Sequence, residues 1–136
     1  MARITDPDKI LEIAKNARVI AVVGISPKKE RASYYISERV RKKGHKMYYI
    51  NPVYEGQEIL DEKVLSSLKD VPEKIDIVDV FRNPKYASPI MDEAISVNAG
   101  VVWLQPGAES EGVISAYEDK IDIIYNACLG VTVEYF

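Results

Sequence analysis

Five short apolar runs constrain this chain more than any other feature: residues 19–24, 47–51, 75–80, 101–104 and 121–125. They are rich in β-branched and aromatic residues and start 20 to 28 residues apart. Each is apolar almost throughout rather than alternately. A strand with one wet face alternates, so continuous apolarity asks for cover on both faces, as in a parallel sheet held between helices. The segments between the runs can supply those helices. Asp6-Pro7 is an N-cap followed by proline at the first helical position, predicting a helix to about Asn16. Ser33 is expected to cap a helix running to Lys43, which Gly44 ends. Asn83-Pro84 opens another, extending to residues 98–100 with Ile90, Ala94, Ile95 and Val97 on its buried side. A shorter helix is expected over 110–119. Residues 53–68 exceed a minimal turn and predict a loop with a short helix. The expectation is an α/β fold: a Rossmann-like doubly wound parallel sheet of about five strands in three layers.

At 136 residues and 47% hydrophobic, the chain suits one domain with one core, and no linker or repeat divides it. Cys128 and His45 are the sole members of their types, which excludes an internal disulfide and Cys- or His-rich metal sites. No run approaches the ~18 apolar residues of a membrane span, and the N-terminal segment lacks a signal-peptide stretch. A cytoplasmic protein with no membrane partner is the resulting expectation. Asn and Gln number seven together, a weak mark of a thermophile.

The net charge of −3 conceals a division. Residues 28–46 hold eight basic and two acidic side chains, whereas the remaining chain holds ten basic and nineteen acidic. A basic island on an acidic protein suits a small, localised anion better than a long polyanion, which argues against nucleic acid as the partner. Lys28, Lys29 and Arg31 lie toward the start of the predicted helix. Arg39, Arg41, Lys42, Lys43 and Lys46 lie toward its far end, where cations complement the helix dipole and stay solvated.

In doubly wound sheets ligands bind beyond the carboxyl ends of the strands, so the residues leaving each run are the candidate site. The first run exits through Gly24, Ser26, Pro27, Lys28, Lys29 and then Ser33. Gly24 allows a sharp turn and a close ligand approach, and the helix start offers free N–H groups to a phosphate. The second run ends in Asn51-Pro52, followed by Tyr54. Asn51 can bond a ligand or cap the turn, and Tyr54 can cover an adenine ring or pack on its own loop. The third run leaves through Phe81 and Arg82, a flat apolar wall and a cation that faces a phosphate or pairs with Asp79. The fourth leaves through Trp103, core or wall, and Gln105, which has no apolar reason to be there.

Two nucleotide fingerprints are missing. A Gly-x-Gly-x-x-Gly motif would need glycines at Ser26 and Lys29, and no Gly-Lys-Ser/Thr follows the first run. The second run ends in asparagine rather than the carboxylate that grips the ribose of NAD, which disfavours a nicotinamide cofactor.

Together, Val22-Val23-Gly24-Ile25-Ser26-Pro27-Lys28, Ser33-Tyr34, Asn51-Pro52-Val53-Tyr54-Glu55-Gly56, Asp76 to Arg82 and Val101 to Gln105 resemble a known family. It is the small CoA-binding domain proteins, related to the N-terminal domain of the succinyl-CoA synthetase alpha subunit. The likeness runs over about residues 10–130. It implies a single Rossmann-type domain over 1–136 binding coenzyme A or an acyl-CoA. Carried over by position, residues 26–29 and Ser33 would hold phosphates, and Asn51, Pro52 and Tyr54 would lie by the adenosine. Phe81, Arg82, Trp103 and Gln105 would line the route to the pantetheine arm. The phosphate-carrying histidine of the synthetase lies in a further domain. His45 precedes the second run, at the opposite end from the exits, and no Ser-His-acid set assembles there. The resemblance therefore implies a binding module rather than an enzyme, its partner protein, if one exists, unknown. The rival readings are a CoA-dependent transferase or ligase component needing a partner subunit, and a nucleotide- or NAD(P)-binding regulatory domain. Cys128 follows the fifth run; it reads as a small buried hydrophobe or, facing the pantetheine end, as a thiol able to form a mixed disulfide with CoA.

Overall fold

A computed structural model of the chain describes residues 2–136. Strand β2 (Val19–Val23) is buried along its whole length. Ile20 and Val22 enter one apolar cluster, while Ala21 and Val23 enter the other on the opposite face. The same division holds for β3 (Lys46–Ile50), β6 (Ile77–Val80), β7 (Val101–Leu104) and β8 (Asp122–Ile124). Two cores, one on each face, are why the runs read as continuous apolarity.

Helices α1 (Pro7–Asn16), α2 (Ala32–Arg41) and α5 (Leu129–Thr132) cover one face through Ile10, Ala14, Ile36, Val40 and Leu129. Helices α3 (Ala87–Ser96) and α4 (Glu111–Tyr117) cover the other through Met91, Ala94 and Ile114. The result is the three-layer, doubly wound α/β architecture.

With β1 (Arg3–Ile4) at one edge, the sheet has six strands among the described residues, in the order β1-β8-β7-β6-β2-β3, with every pair parallel. The sixth, β1, corrects the expected five. Two residues form no apolar run, and the strand exists because tertiary partners hold it. The Ala2 N–H donates to Asp122 Oδ1 at 2.9 Å, and the Arg3 guanidinium donates to Glu111 at 2.6 Å and Glu118 at 2.9 Å.

Local chemistry explains most element ends. The Asp6 side chain accepts from the Asp8 N–H ahead of Pro7, and Gly44 stands at φ +99° beyond α2. Ser33 does not cap α2. The N-cap is Arg31, and Ser33 sits inside the first turn with its hydroxyl accepting from the Ser26 N–H at 3.0 Å. Asn83-Pro84 opens a 3₁₀ turn, Pro84–Tyr86, and α3 follows it with Ala87, Met91 and Ala94 fully inward. Ile90, Ile95 and Val97 pack only at the margin of that core.

The 53–68 segment holds more than a loop and a short helix. After a 3₁₀ turn (Pro52–Tyr54) comes a hairpin, β4 (Glu58–Ile59) and β5 (Glu62–Lys63). Its two-residue turn is Leu60-Asp61, at φ 49° and 67°. Such turns favour Asn-Gly, so this pair gives no hairpin signal in the sequence.

Candidate functional site

From β2 the chain moves outward to β3 on one side, then returns to place β6 on β2's other side. The reversal opens a crevice at the carboxyl ends of β2 and β6, the place where such sheets take ligands. Gly24 stands at its centre. It adopts φ +94°, and a Cβ there would lie 2.6 Å from the Phe81 carbonyl oxygen and about 3 Å from the Arg82 side chain. Both conformation and space thus demand glycine.

Two clefts flank Gly24. The α2-side cleft, about 360 Å³, is lined by Ser26, Lys28, Arg31, Ser33, Tyr54 and Phe81 among others. Its loop is ordered by its own hydrogen bonds. The Lys28 N–H donates to Ser26 Oγ at 3.1 Å, and the Arg31 N–H donates to the Lys28 carbonyl at 3.0 Å. Lys28, Lys29 and Arg31 are exposed, and among the described residues none of them forms an ion pair. Pro27 and Lys29 belong to this loop without lining the cleft.

The α3-side cleft, about 260 Å³, is lined by Pro52, Arg82, Tyr86 and Glu93, and shares Gly24 and Asn51 with the first. The Arg82 guanidinium lies 4.6 Å from the Tyr86 ring centroid and the Lys85 ammonium 5.1 Å from it. The Glu93 carboxylate accepts from the Leu68 N–H and from Ser67 Oγ, binding the preceding loop to α3. A third and larger cleft, about 600 Å³, opens beside Thr5, Asp8, Tyr125 and Tyr135 and contains none of the expected residues or cations.

Several expected residues spend their polar groups on the protein itself, and of these only Asn51 also lines the clefts. Asn51 is buried with both ends of its amide in use: Nδ2 donates to the Ile25 carbonyl at 2.9 Å, and Oδ1 accepts from the Val53 N–H at 3.0 Å. It caps its turn and braces the β3 exit against the β2 exit. Trp103 is fully buried and its indole N–H donates to the Ala127 carbonyl at 2.8 Å, so core, not wall, is its place. Gln105 is buried too, donating from Nε2 to Asp79 Oδ1 at 2.6 Å. Arg82 does not pair with Asp79. Burial pushes the Asp79 carboxyl up to about 7, against the opposing hydrogen bond from Gln105.

Sequence reading missed Tyr86 and Glu93, and gave Asp79 no role beyond partnering Arg82. Tyr86 had a usable signal, since a tight Asn83-Pro84 turn returns the chain toward Arg82 four residues earlier. His45 lies at the start of β3, its Nδ1 2.9 Å from the Ala17 carbonyl, far along the strand from both clefts. Cys128 is a half-buried free thiol that packs at the margin of the α2-side core. No group of three or more potential metal ligands occurs among the described residues. Nor is any described helix long and apolar enough to cross a membrane.

The CoA binding domain family matches residues 18–134, a span that includes both clefts and every strand exit discussed above. The chain belongs to that CoA-binding family. An uncharacterized Bacillus subtilis (strain 168) protein, YneT, is 32% identical over 124 residues, 90% of each chain. Among solved structures, the cell-free ID.343 protein of Thermus thermophilus superposes with a TM-score of 0.90 at 28% identity, covering 96% of this chain and 98% of its own. A hypothetical protein from Pyrococcus horikoshii OT3 gives 0.90 at 32% identity over 96% and 92% of the two chains. Within this CoA-binding family member, the loop from Gly24 to Ser33 carries the free cations and the open helix start.

Proposed function

We propose that the protein binds coenzyme A or an acyl-CoA across the crevice at Gly24, as a binding module without turnover of its own. The observation that carries this is the placement of Lys28 and Arg31. Both stand at the amino end of α2, where the helix dipole is already positive, and among the described residues neither has a carboxylate partner. Cations in that position repel the dipole, and a bound anion reverses the sign of both interactions. In this reading the pyrophosphate sits on residues 26–31 with Ser33 ordering the loop. Tyr54 and Pro52 flank the adenosine, and Phe81 leads toward the pantetheine arm. Asn51 braces the junction of the two clefts through its bonds to Ile25 and Val53, and Trp103 and Gln105 support the site from behind. Arg82 and Tyr86 offer a second cationic and aromatic surface on the other side of Gly24.

Calorimetric titration with CoA, dephospho-CoA and NAD⁺ tests the reading. CoA is expected to bind most tightly. Dephospho-CoA is expected about tenfold weaker, as one charge-assisted phosphate contact of about 1.5 kcal/mol requires. A preference for NAD⁺ would favour a dinucleotide-binding regulatory domain. CoA-dependent turnover only with a copurifying protein would favour a transferase or ligase component. No binding of any of the three would refute all of these readings.

A further inference from the structure

Asp79, on β6, and Gln105, just beyond β7, are both buried, and each keeps one oxygen without a partner: Asp79 Oδ2 and Gln105 Oε1. Their other ends are already joined, Gln105 Nε2 donating to Asp79 Oδ1 at 2.6 Å. Two planar groups joined at one end and orphaned at the other lack a single proton. Turning the amide over does not help, because it only moves the pair of oxygens that lacks a proton from one side to the other.

No cation neutralises a carboxylate here. In register, Asp79 lies between Val22 on β2 and Trp103 on β7. By strand alternation it shares its face with Ile77, toward the cluster built on α1, α2 and α5 through Ile10, Ala14, Ile36, Val40 and Leu129. The titratable members of its apolar lining are Tyr49, Tyr34, Tyr54 and Cys128. Among the described residues no Lys, Arg or His side chain is buried, and none pairs with Asp79. An ionised carboxylate in such surroundings would be both unpaired and cut off from water.

We propose that Asp79 is a carboxylic acid in the folded protein, donating from Oδ2 to Gln105 Oε1 while Oδ1 accepts from Nε2. The closed two-bond ring ties the exit of β6 to the exit of β7. Phe81 and Arg82 follow on β6, so Asp79 is a positioning residue for the clefts, acting through the strand end that carries them. It also keeps a negative charge from beneath the crevice. That consequence for an anionic ligand rests on the proposed CoA binding, whereas the ring itself does not.

The sign of the pH effect follows from the direction of the shift. A carboxyl raised in the folded state from 3.8 to about 7 contributes stability below its unfolded value and loses it as pH rises through the folded value. The test uses ligand-free protein. The Asp79 carboxyl carbon is followed by NMR from pH 4 to 9, and urea unfolding is compared for the natural protein and Asp79→Asn. Asparagine reproduces the ring without a titrating proton, with Nδ2 donating to Gln105 Oε1. Relative to Asp79→Asn, the folding constant of the natural protein is expected to fall about tenfold per pH unit toward pH 7 and then level off. The carboxyl carbon should titrate near 7. Parallel stability profiles, or a carbon titrating in the ordinary carboxylate range, would overturn the proposal. If Asp79→Asn does not fold, the NMR titration of the natural protein decides alone. Neither readout involves CoA, so failure here is separate from failure of the binding reading.

Discussion

The two ends of α2 carry the same kinds of side chain and use them in opposite ways. At the carboxyl end Arg41 pairs with Asp61 at 2.7 Å and Arg39 with Glu134 at 3.5 Å. Both cations also stand where the helix dipole is negative, so partner and backbone agree. At the amino end Lys28 and Arg31 have no such partner among the described residues and stand against the dipole. Charge that is neutralised locally serves the fold, and charge kept open at a local cost points to something absent from the chain itself. The basic island is therefore two devices on one helix, and only the amino-terminal one reaches the crevice.

The strongest test of that contrast reverses the amino-terminal charges. Lys28→Glu with Arg31→Glu should weaken CoA binding by at least about a hundredfold, as the loss of two charge-assisted contacts implies. The same double variant should be no less stable than the natural protein, and up to about 1 kcal/mol more so, because acids suit a helix start. Calorimetry and urea unfolding read the two effects separately. Unchanged affinity would end the assignment of the phosphates to this loop.

Gly24→Ala asks whether the crevice depends on close backbone approach. A Cβ 2.6 Å from the Phe81 carbonyl, on a residue at φ +94°, should cost about 1–3 kcal/mol of folding stability. It should also lower CoA affinity, since β2 and β6 must separate. A variant within about 0.5 kcal/mol of the natural protein would show that the strand ends part freely.

The smallest effect belongs to the other end of the helix. Arg39→Glu with Arg41→Glu should lower stability by about 0.5–1 kcal/mol, through lost pairs and an adverse dipole. CoA affinity should stay within about twofold, because salt screens charges so far from the crevice. A large loss of affinity would merge the two devices back into one basic patch.

Much of the fold was legible because the driving forces act locally along the chain. Both-face burial leaves continuous apolar runs, proline and asparagine mark helix starts, and glycine marks the stop after α2. What escaped depends on contacts distant in sequence. Strand β1 exists through Asp122, Glu111 and Glu118, and the Leu60-Asp61 hairpin turn has no composition to announce it. At the site, the strand-exit rule located Gly24, the cationic loop and Arg82. It could not tell a ligand contact from a support. Asn51 and Gln105 are polar side chains at strand ends in either case, and only their partners, Ile25, Val53 and Asp79, show that they face inward.

The sequence by itself determined the layer architecture, the crevice and the cations that line it, because periodicity and turn chemistry are written residue by residue. The tertiary structure alone decided which polar groups are already satisfied and which cations are free. It also showed that Asp79, which reads as an ordinary strand carboxylate, lies where charge has no counterpart. Those properties belong to pairs of atoms brought together by folding, and a chain read in order does not contain them.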